Sequence, residues 1–441
     1  MTYRSEQETV RFESELPTRA RDNEGHGSHT LSTAGGSFVP GASVFGFGNG
    51  AASGGSPKAR VAAYKVCWPN LIPFGGGCFD ADVMAAFEAA ISDGVDVLSV
   101  SLGSEARDYF EDVIAIGSFH AVANGIVVVA SAGNSGPFPE SVSNVWTMDA
   151  NNFASYVTLG DKKIIKGGSL SEYGLSSDKA YPLISSVDAK YFNGSISEAM
   201  EVLILRRIHI IAAYTEAVSA TGLESDTRIT PFFSMTGTSM SCPHVAGLAG
   251  LLKALHPDWS PAAIKQLHLT MAGHIKPNSA VDPGLVYDLN ITDFLNYFSQ
   301  LKMFDHKPYT CPESFSLADF NYPTITISEF GPGNSVNVSR TVTNIGSGST
   351  YTVRIKAPPH VEVWVEPRKL RFKKKGEKKE FRVALTLKKK TESTTDFVFG
   401  WLTWTNKKHH VRSSIAVNMT QSIHGVCWIR SNDVIGLPVP R

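Results

Sequence analysis

A serine at the start of an apolar helical segment is the strongest chemical feature of this 441-residue sequence. Ser239 lies in the run GTSMSCPHVAG, residues 237–247, and helical periodicity extends over Ser239–Leu255. At a helix N-terminus the backbone N–H groups lack partners and the helix dipole favours negative charge. Both properties suit a nucleophile whose attack on a carbonyl creates an oxyanion. Taken alone, the same pattern is more often an ordinary serine N-cap.

A histidine between two glycines is the second feature. His26 lies in the run DNEGHGSHT, residues 22–30, and the flanking glycines would let a substrate approach closely. A histidine can serve as a general base near neutral pH. Taken alone, a surface histidine or a metal ligand explains His26 equally well.

An asparagine after an apolar strand is the third feature. Asn134 lies in the run SAGNSGP, residues 131–137, directly after the apolar segment Ile126–Ala130. Ligands bind at the carboxyl ends of the strands in a doubly wound sheet, and a side-chain amide there could donate to an oxyanion. The alternative is that Asn134 is a turn residue.

The elements that must position these residues alternate between strands and helices. The predicted strands are Arg60–Val66, Val95–Val100 and Ile126–Ala130; the predicted helices are Asp80–Ile91, Phe110–Ala123, Ser239–Leu255 and one that starts at Pro261 after Ser260. The unbroken apolar run at residues 126–130 suits a parallel strand that is covered on both faces. This order predicts a doubly wound α/β sheet.

The C-terminal part of the chain has a different sequence pattern. From about Ser316 onward it consists of short segments in which apolar and polar residues alternate. The predicted strands are Thr324–Ile327, Val336–Thr343, Tyr351–Ile355, Val361–Val365, Phe381–Leu387, Phe397–Trp404 and Val411–Val417. Seven strands separated by turn signals predict a β-sandwich.

Composition and charge narrow the class of protein. With 42% hydrophobic and 19% charged residues, the chain has enough apolar material for a buried core, which argues against a disordered or fibrous protein. No apolar run approaches the ~18 residues of a membrane span. Residues 313–441 carry 20 Lys and Arg against 10 Asp and Glu, although the whole chain has zero net charge. A basic tail on an acidic body indicates separate domains rather than a nucleic-acid-binding protein.

A dense basic run occupies residues 368–379. It could be a nuclear-localisation or polyanion-binding patch. The favoured interpretation is a solvated turn and strand edge, on which lysines guard against edge-to-edge pairing.

The five cysteines are too few for a disulfide scaffold. Cys67 and Cys78 bracket a loop rich in Pro and Gly, and a bridge there would stabilise the fold by roughly 3 kcal/mol. The alternative is two free thiols. Cys242, inside the serine segment, is predicted to be a buried thiol rather than a nucleophile. The spacing of potential ligands indicates neither a metal site nor a cofactor.

The sequence features that indicate the cellular compartment conflict with one another. The N-terminus has no apolar segment typical of a secretory signal. Glycosylation sequons nevertheless occur at Asn193, Asn290, Asn337 and Asn418. Either the protein is cytosolic or its beginning is missing.

Together, the three chemical motifs resemble those of the subtilisin-like serine proteases, and the surrounding sequence resembles the cucumisin-like branch of plants. The resemblance implies Ser239 as nucleophile, His26 as general base and Asn134 as oxyanion-hole donor, with the Ser239 backbone N–H as second donor. Residues Ser101, Leu102 and Gly103 match the segment that pairs with the substrate backbone as an added strand. Protein or peptide substrates, no cofactor and an extracellular location in the apoplast or cell wall are implied.

The implied fold is an incomplete, doubly wound parallel-sheet catalytic domain followed by a fibronectin-III-like sandwich. The expected divisions are residues 1–160 and 209–300 for the two parts of the catalytic domain, 161–208 for the remnant of an inserted protease-associated domain, 313–420 for the sandwich and 421–441 for an unassigned tail.

The sequence departs from the family at the triad aspartate. The family carries it in an Asp-(Ser/Thr)-Gly block on a strand well upstream of the histidine, and this chain has no such block. Asp22 is four residues from His26, too close to lie on a separate strand beneath the ring, so no triad aspartate is assigned. The prodomain is also missing, and three internal segments are shortened. We therefore expect impaired or lost activity; the alternatives are a non-catalytic binding protein or a truncated product.

Overall fold

The computed structural model describes residues 21–71, 75–103, 107, 109–134, 143–144, 154–158, 164–168, 210–223, 225–269, 280–300, 316–327, 335–388 and 397–418. Sequence predictions that fall on Asn193, on residues 169–209 and on the tail 421–441 lie outside this range. No helix within it is long and apolar enough to cross a membrane.

The helices and strands are numbered in chain order. The helices are α1 (His26–Gly35), α2 (Asp80–Asp93), α3 (Val113–Ala123), α4 (Thr238–Leu255), α5 (Pro261–Leu269) and α6 (Ile291–Gln300). The strands before the sandwich are β1 (Val39–Val44), β2 (Phe47–Ala52), β3 (Cys67–Leu71), β4 (Gly75–Cys78), β5 (Val97–Val100), β6 (Val127–Ala130), β7 (Ala154–Thr158), β8 (Ile164–Gly168), β9 (Ile210–Ala213) and β10 (Phe232–Met235). The strands of the sandwich are β11 (Leu285–Val286), β12 (Ile325–Ile327), β13 (Ser335–Asn344), β14 (Ser349–Lys356), β15 (Val361–Glu366), β16 (Lys369–Phe372), β17 (Lys378–Leu387), β18 (Phe397–Thr405) and β19 (His410–Asn418).

Two parallel strands form the centre of the α/β unit. β5 and β6 pair in parallel, with Val97 opposite Val127 and Val100 opposite Ala130. Helices α2 and α3 cover one face, where Phe87 and Ile114 are buried. Helices α4 and α5 cover the other face. Helices on both faces of a parallel pair are the doubly wound arrangement that the sequence predicted.

The prediction of a strand at residues 60–66 is wrong. Residues 59–66 have no regular secondary structure, and residues 60–63 are exposed. Only Val66 packs against the core below α2 and α3. An apolar segment becomes a strand only where a neighbour satisfies its backbone groups, and no described strand pairs with this one. The parallel sheet is therefore smaller than expected within the described residues.

A close helix-to-helix contact joins the N-terminal part of the unit to the serine helix. Helix α1 packs against α4 at Gly247, and Ser56 donates its hydroxyl to the Gly247 carbonyl at 2.6 Å. A Cβ on Gly247 would lie 2.7 Å from the Ala34 carbonyl oxygen and 2.8 Å from the Gly55 Cα. This approach is possible only because Gly247 has no side chain.

Cys67 and Cys78 form a disulfide between β3 and β4, where they lie directly opposite each other in the antiparallel pair. The hairpin leads into α2, which ends at Asp93 and is followed by Gly94 in the left-handed conformation. The bridge therefore closes the loop immediately before this helix.

The C-terminal unit is a sandwich of two sheets. One sheet has the order β11-β13-β17-β15 and the other the order β12-β19-β18-β14-β16. In the described part of the chain, twenty buried apolar residues fill the space between them, including Trp404, Phe381 and Tyr351. All seven strands predicted for this region are confirmed. β16 was missed because it lies inside the basic run, and it forms an edge of its sheet, as the favoured interpretation of that run requires.

The sandwich also takes in residues that precede it. β11 pairs with β13 through Leu285 opposite Asn344. Tyr287 is buried in the sandwich core, and its hydroxyl lies 2.6 Å from Ser413 Oγ. Residues 285–287, which come after the serine helix and α5, are thus part of the sheet and core of the sandwich.

Candidate active site

Two polar segments lie side by side at the carboxyl ends of the parallel strands. Ser101 follows β5 and Ser131 follows β6, so the parallel register brings both segments to the same edge. The Ser131 hydroxyl donates to the Leu102 carbonyl at 2.8 Å, and the Asn144 amide donates to the same carbonyl at 2.7 Å. These bonds tie the two segments together at the edge where a doubly wound sheet binds ligands.

Asn134 is joined directly to the start of the serine helix. Its Oδ1 accepts the Thr238 backbone N–H at 2.9 Å and the Thr238 hydroxyl at 3.1 Å. The Thr238 hydroxyl also reaches the Gly133 carbonyl at 3.1 Å. Because the amide oxygen is occupied, the Nδ2 group remains as the donating end of the side chain, next to Gly237.

Ser239 is the second residue of α4, within the first turn, whose backbone N–H groups have no helical partner. Its Oγ donates to the Ser101 carbonyl at 3.4 Å, a long bond. In return the Ser101 hydroxyl donates to the Ser239 carbonyl at 2.9 Å. The structure therefore brings together Ser239, Asn134 and Ser101, with exposed Gly103 two residues further along the strand end.

His26 is the first residue of α1. The preceding Gly25 has φ +93°, and a Cβ there would lie 2.0 Å from the Tyr214 ring, so only glycine fits. The His26 ring is half-buried. Among the described residues, no hydrogen bond joins His26 to Ser239, although α1 and α4 pack together.

Asp22 organises the backbone around His26 rather than its ring. The Asp22 carboxylate accepts N–H bonds from Glu24 at 3.0 Å, Gly25 at 2.8 Å and Ser28 at 2.6 Å. Burial raises the pKa of this carboxyl, but the three backbone N–H groups outweigh it and hold the pKa below the usual 3.8. The carboxylate thus acts as a cap at the start of α1, a role that its position four residues before His26 allows.

Electrostatics favour the neutral form of His26. Burial lowers the pKa of its imidazole below the ordinary 6.5, while the negative charges of Asp22 and Glu24 raise it by less. The ring is therefore unprotonated at neutral pH, which is the state that can accept a proton.

A second histidine of the same helix has a structural partner. His29 is fully buried, and its Nε2 lies 2.8 Å from the Ile210 carbonyl. Burial lowers its pKa below 6.5, and the nearby charges of His26 and His244 act in the same direction. His29 thus connects α1 to β9.

Cys242 is a free, buried thiol on α4. Its Sγ donates to the Val129 carbonyl of β6 at 3.2 Å and lies 3.6 Å from Ser99 Oγ of β5. Burial raises the pKa of the thiol. Cys242 therefore contacts both parallel strands, and its burial and raised pKa do not suit a nucleophile.

The sequence analysis did not identify the contribution of the Thr238 and Asn144 side chains to this site. Their positions next to the motifs were the only available signal, since their hydrogen bonds join residues far apart in the chain. Within the described residues, no cluster of three or more His, Cys, Asp or Glu could hold a metal ion.

Comparison with known proteins identifies the class of protein to which this chain belongs. Residues 3–288 match the subtilase family, a family of serine peptidases, and residues 319–417 match the fibronectin type-III domain. The α/β unit with its serine helix and the sandwich are thus a subtilase domain and a fibronectin type-III domain. The chain belongs to the subtilase family, and the resemblance and fold class inferred from the sequence are confirmed.

The relatives are plant proteins. The chain is 39% identical to subtilisin-like protease SBT5.4 of Arabidopsis thaliana over 92% of its own length and 72% of the relative's. It is also 39% identical to SBT5.3 of the same plant, over 90% and 72%. A Glycine max subtilisin-like protease, Glyma18g48580, is 35% identical over 90% and 72%. The first alignment spans 570 positions, more than the 441 residues present, so it contains long gaps in this chain.

Proposed function

We propose that the α/β unit is a serine endopeptidase site in which Ser239 forms an acyl-enzyme with a protein or peptide substrate. The hydrogen bond between Asn134 Oδ1 and the Thr238 N–H carries this proposal. It turns the Asn134 amide donor toward the start of the serine helix, where the Ser239 N–H supplies a second donor. Two such donors suit the oxyanion that forms when Ser239 attacks a peptide carbonyl.

His26 is the proposed general base. The Ser239 hydroxyl proton would pass to the neutral imidazole as the Oγ–carbon bond forms, and then to the leaving amine as the peptide bond breaks. The lowered pKa of His26 supports this role, because the ring is unprotonated at neutral pH.

Catalysis in this chain is proposed to be impaired, because no carboxylate among the described residues is hydrogen-bonded to the His26 ring. Asp22 and Glu24 both carry negative charge near the ring, and the Asp22 oxygens are occupied by three backbone N–H groups. Removing the triad aspartate of subtilisin itself lowers turnover by about 3 × 10⁴. We expect a deficit of that order here.

Substrate would bind along the edge formed by Ser101, Leu102 and Gly103. A peptide there can add a strand to the sheet edge, with main-chain hydrogen bonds providing most of the affinity. Gly103 is exposed and leaves room for the substrate backbone.

Secretion to the apoplast or cell wall and glycosylation are part of this proposal, by analogy with the plant family. The sequon residues Asn290 and Asn337 are exposed and would be accessible to glycosylation. Asn418 is only half-exposed.

A second candidate function is a non-catalytic binding protein. The hydrogen bond from Ser239 Oγ to the Ser101 carbonyl favours it, because the hydroxyl is turned toward the strand end instead of toward a base. In this case the α/β unit would hold peptides at the same edge without cleaving them.

Labelling with a fluorophosphonate separates the two candidates, since it reports an activated serine. We expect slow labelling of the full chain, abolished in Ser239→Ala and retained in Ser241→Ala, which removes a hydroxyl two residues further along the same helix. Hydrolysis of an unfolded protein substrate is measured in parallel. Labelling without hydrolysis supports an impaired peptidase, whereas absence of both in a folded chain supports the binding protein.

A further inference from the structure

The five-stranded sheet of the sandwich contains cations and no carboxylates. Strands β12, β14, β16, β18 and β19 include no Asp or Glu. Their basic residues are Arg354, Lys356, Lys369, Arg371, His410 and Arg412. The other sheet differs, since β15 carries Glu362 and Glu366 and β17 carries Glu380.

Strand alternation places these cations on the outer face. Val353 and Trp404 are buried in the core, so their neighbours along the strands point outward. Arg354 lies opposite Thr403, and Thr403 lies opposite Arg412. Adjacent strands are about 4.8 Å apart, so a row across three strands places two guanidinium-bearing positions about 10 Å apart with a hydroxyl between them.

Two neighbouring rows also carry cations. Lys356 lies opposite Trp401, with the Lys356 Nζ 4.2 Å and the Arg412 Cζ 5.1 Å from the centroid of the Trp401 ring. In the next row, Thr352 lies opposite Lys369 on one side and Thr405 on the other. We call the three rows around Arg354, Lys356 and Lys369 the basic face.

Like charges on neighbouring strands repel each other and destabilise a sheet. An anion bound to the basic face would offset this loss of stability. Hydroxyl groups stand at the centre of two rows, where they can hydrogen-bond to a ligand that is itself rich in hydroxyls. Guanidinium groups are the side chains best matched to carboxylates, through paired N–H bonds.

We infer that the basic face binds a linear polysaccharide that carries carboxylate groups. A single-stranded nucleic acid would require open aromatic rings for base stacking. Trp401 does not offer one, because two cations already lie over it. A lipid surface would require apolar side chains to insert, and none of the exposed large hydrophobic residues in the described part of the chain belongs to these five strands.

The inference concerns the sandwich alone and is independent of catalysis at Ser239. Its test uses the full chain, with oligogalacturonate as the carboxylated probe and dextran as the neutral one, in isothermal titration at low and physiological salt. We expect oligogalacturonate to bind and dextran not to bind. Affinity falls as salt rises, because the interacting charges are exposed and screened.

The decisive variant is Arg354→Gln with Arg412→Gln, which removes both guanidinium groups of one row and is expected to weaken binding about tenfold. The matched control, Lys378→Gln with Arg382→Gln, removes the same charge from exposed positions of the other sheet and is expected to leave affinity within about twofold. Arg354→Lys with Arg412→Lys keeps the charge but loses the paired N–H bonds, so its affinity is expected to lie between those of the parent chain and the Gln variant. Thermal unfolding of the Gln variant, followed by circular dichroism, excludes a folding defect as the cause of the loss.

Three results would overturn the inference. These are no binding of oligogalacturonate at low salt, an equal loss in the control pair, and binding of a single-stranded DNA oligomer or a vesicle with anionic lipid at least as tight as that of oligogalacturonate. The last result would assign the face to a different class of partner.

Discussion

Asn134 and Thr238 are hydrogen-bonded through both the backbone and the side chain of the threonine, although they are 104 residues apart in the chain. The pair joins the end of β6 to the start of α4. It fixes the amide of Asn134 relative to Ser239 before any substrate is present, which is the preorganisation that oxyanion stabilisation requires.

Asn134→Ala is expected to slow fluorophosphonate labelling of Ser239 by about 10²- to 10³-fold, the effect known for the oxyanion-hole asparagine of subtilisin itself. Thr238→Val keeps the backbone N–H bond and removes only the hydroxyl bonds, so a loss of about fivefold is expected, equivalent to roughly 1 kcal/mol. The ratio of the two labelling rates is the measurement. Equal rates for Asn134→Ala and the parent chain would exclude Asn134 from the site.

The pH profile of labelling tests His26. The neutral ring is the proposed base, and burial holds its pKa below 6.5, so the labelling rate should rise with pH through a midpoint below 6.5. Glu24→Gln removes a negative charge that stabilises the protonated ring and should move the midpoint to still lower pH. Glu88→Gln, an exposed change on α2, is the control and should not move it. A midpoint above 6.5 would contradict the burial of the ring.

Gly247→Ala tests the contact between α1 and α4. The added methyl group would lie 2.7 Å from the Ala34 carbonyl oxygen, so the helices must separate and the free energy of unfolding should fall by about 1–3 kcal/mol. The control is Gly250→Ala, on the same helix. Its added Cβ would lie 3.1 Å from Ser56 Oγ, and the free energy of unfolding should change by less than about 1 kcal/mol. Urea unfolding of both variants gives the comparison. A larger loss in Gly250→Ala would mean that the contact lies elsewhere.

Arg340→Met tests a buried cation in the sandwich. Arg340 is 4% exposed and donates to the carbonyls of Ala318 at 2.6 Å and Tyr322 at 2.8 Å. Burial lowers its pKa to about 10, so it is still charged at neutral pH. Methionine would leave those carbonyls unpaired, at a cost of about 2–4 kcal/mol.

The control for that change is Arg382→Met, on the neighbouring strand β17. Arg382 has a side chain that is 77% exposed and pairs with Glu380 at 3.6 Å. Its loss should change stability by less than about 0.5 kcal/mol. Thermal unfolding of the two variants, followed by circular dichroism, should show a lower midpoint for Arg340→Met alone.

The roles of Ser239, Asn134 and Ser101 stay predictions, but their positions relative to the helices and strands follow from strong local signals. Ser101 and Asn134 come after apolar strands, and Ser239 lies at the start of an apolar helix. Since parallel strands end at one edge of a sheet, their proximity follows from the order of the elements.

The remaining features depend on contacts that local patterns do not contain. The segment at residues 60–66 has strand composition but no strand neighbour. The capping role of Asp22 depends on the three N–H groups that turn toward it, and the burial of Arg340 depends on carbonyls from a preceding loop. In each case a partner in space decides the outcome, and residue type alone does not identify that partner.

The pairing of β11 with β13 determines how this protein can be divided. A fragment that began at residue 319, the start of the fibronectin type-III match, would lose the edge strand Leu285–Val286 and the buried ring of Tyr287. Conversely, a fragment that ended at residue 288 would leave those same side chains exposed to water. A stable C-terminal fragment must therefore start before Leu285.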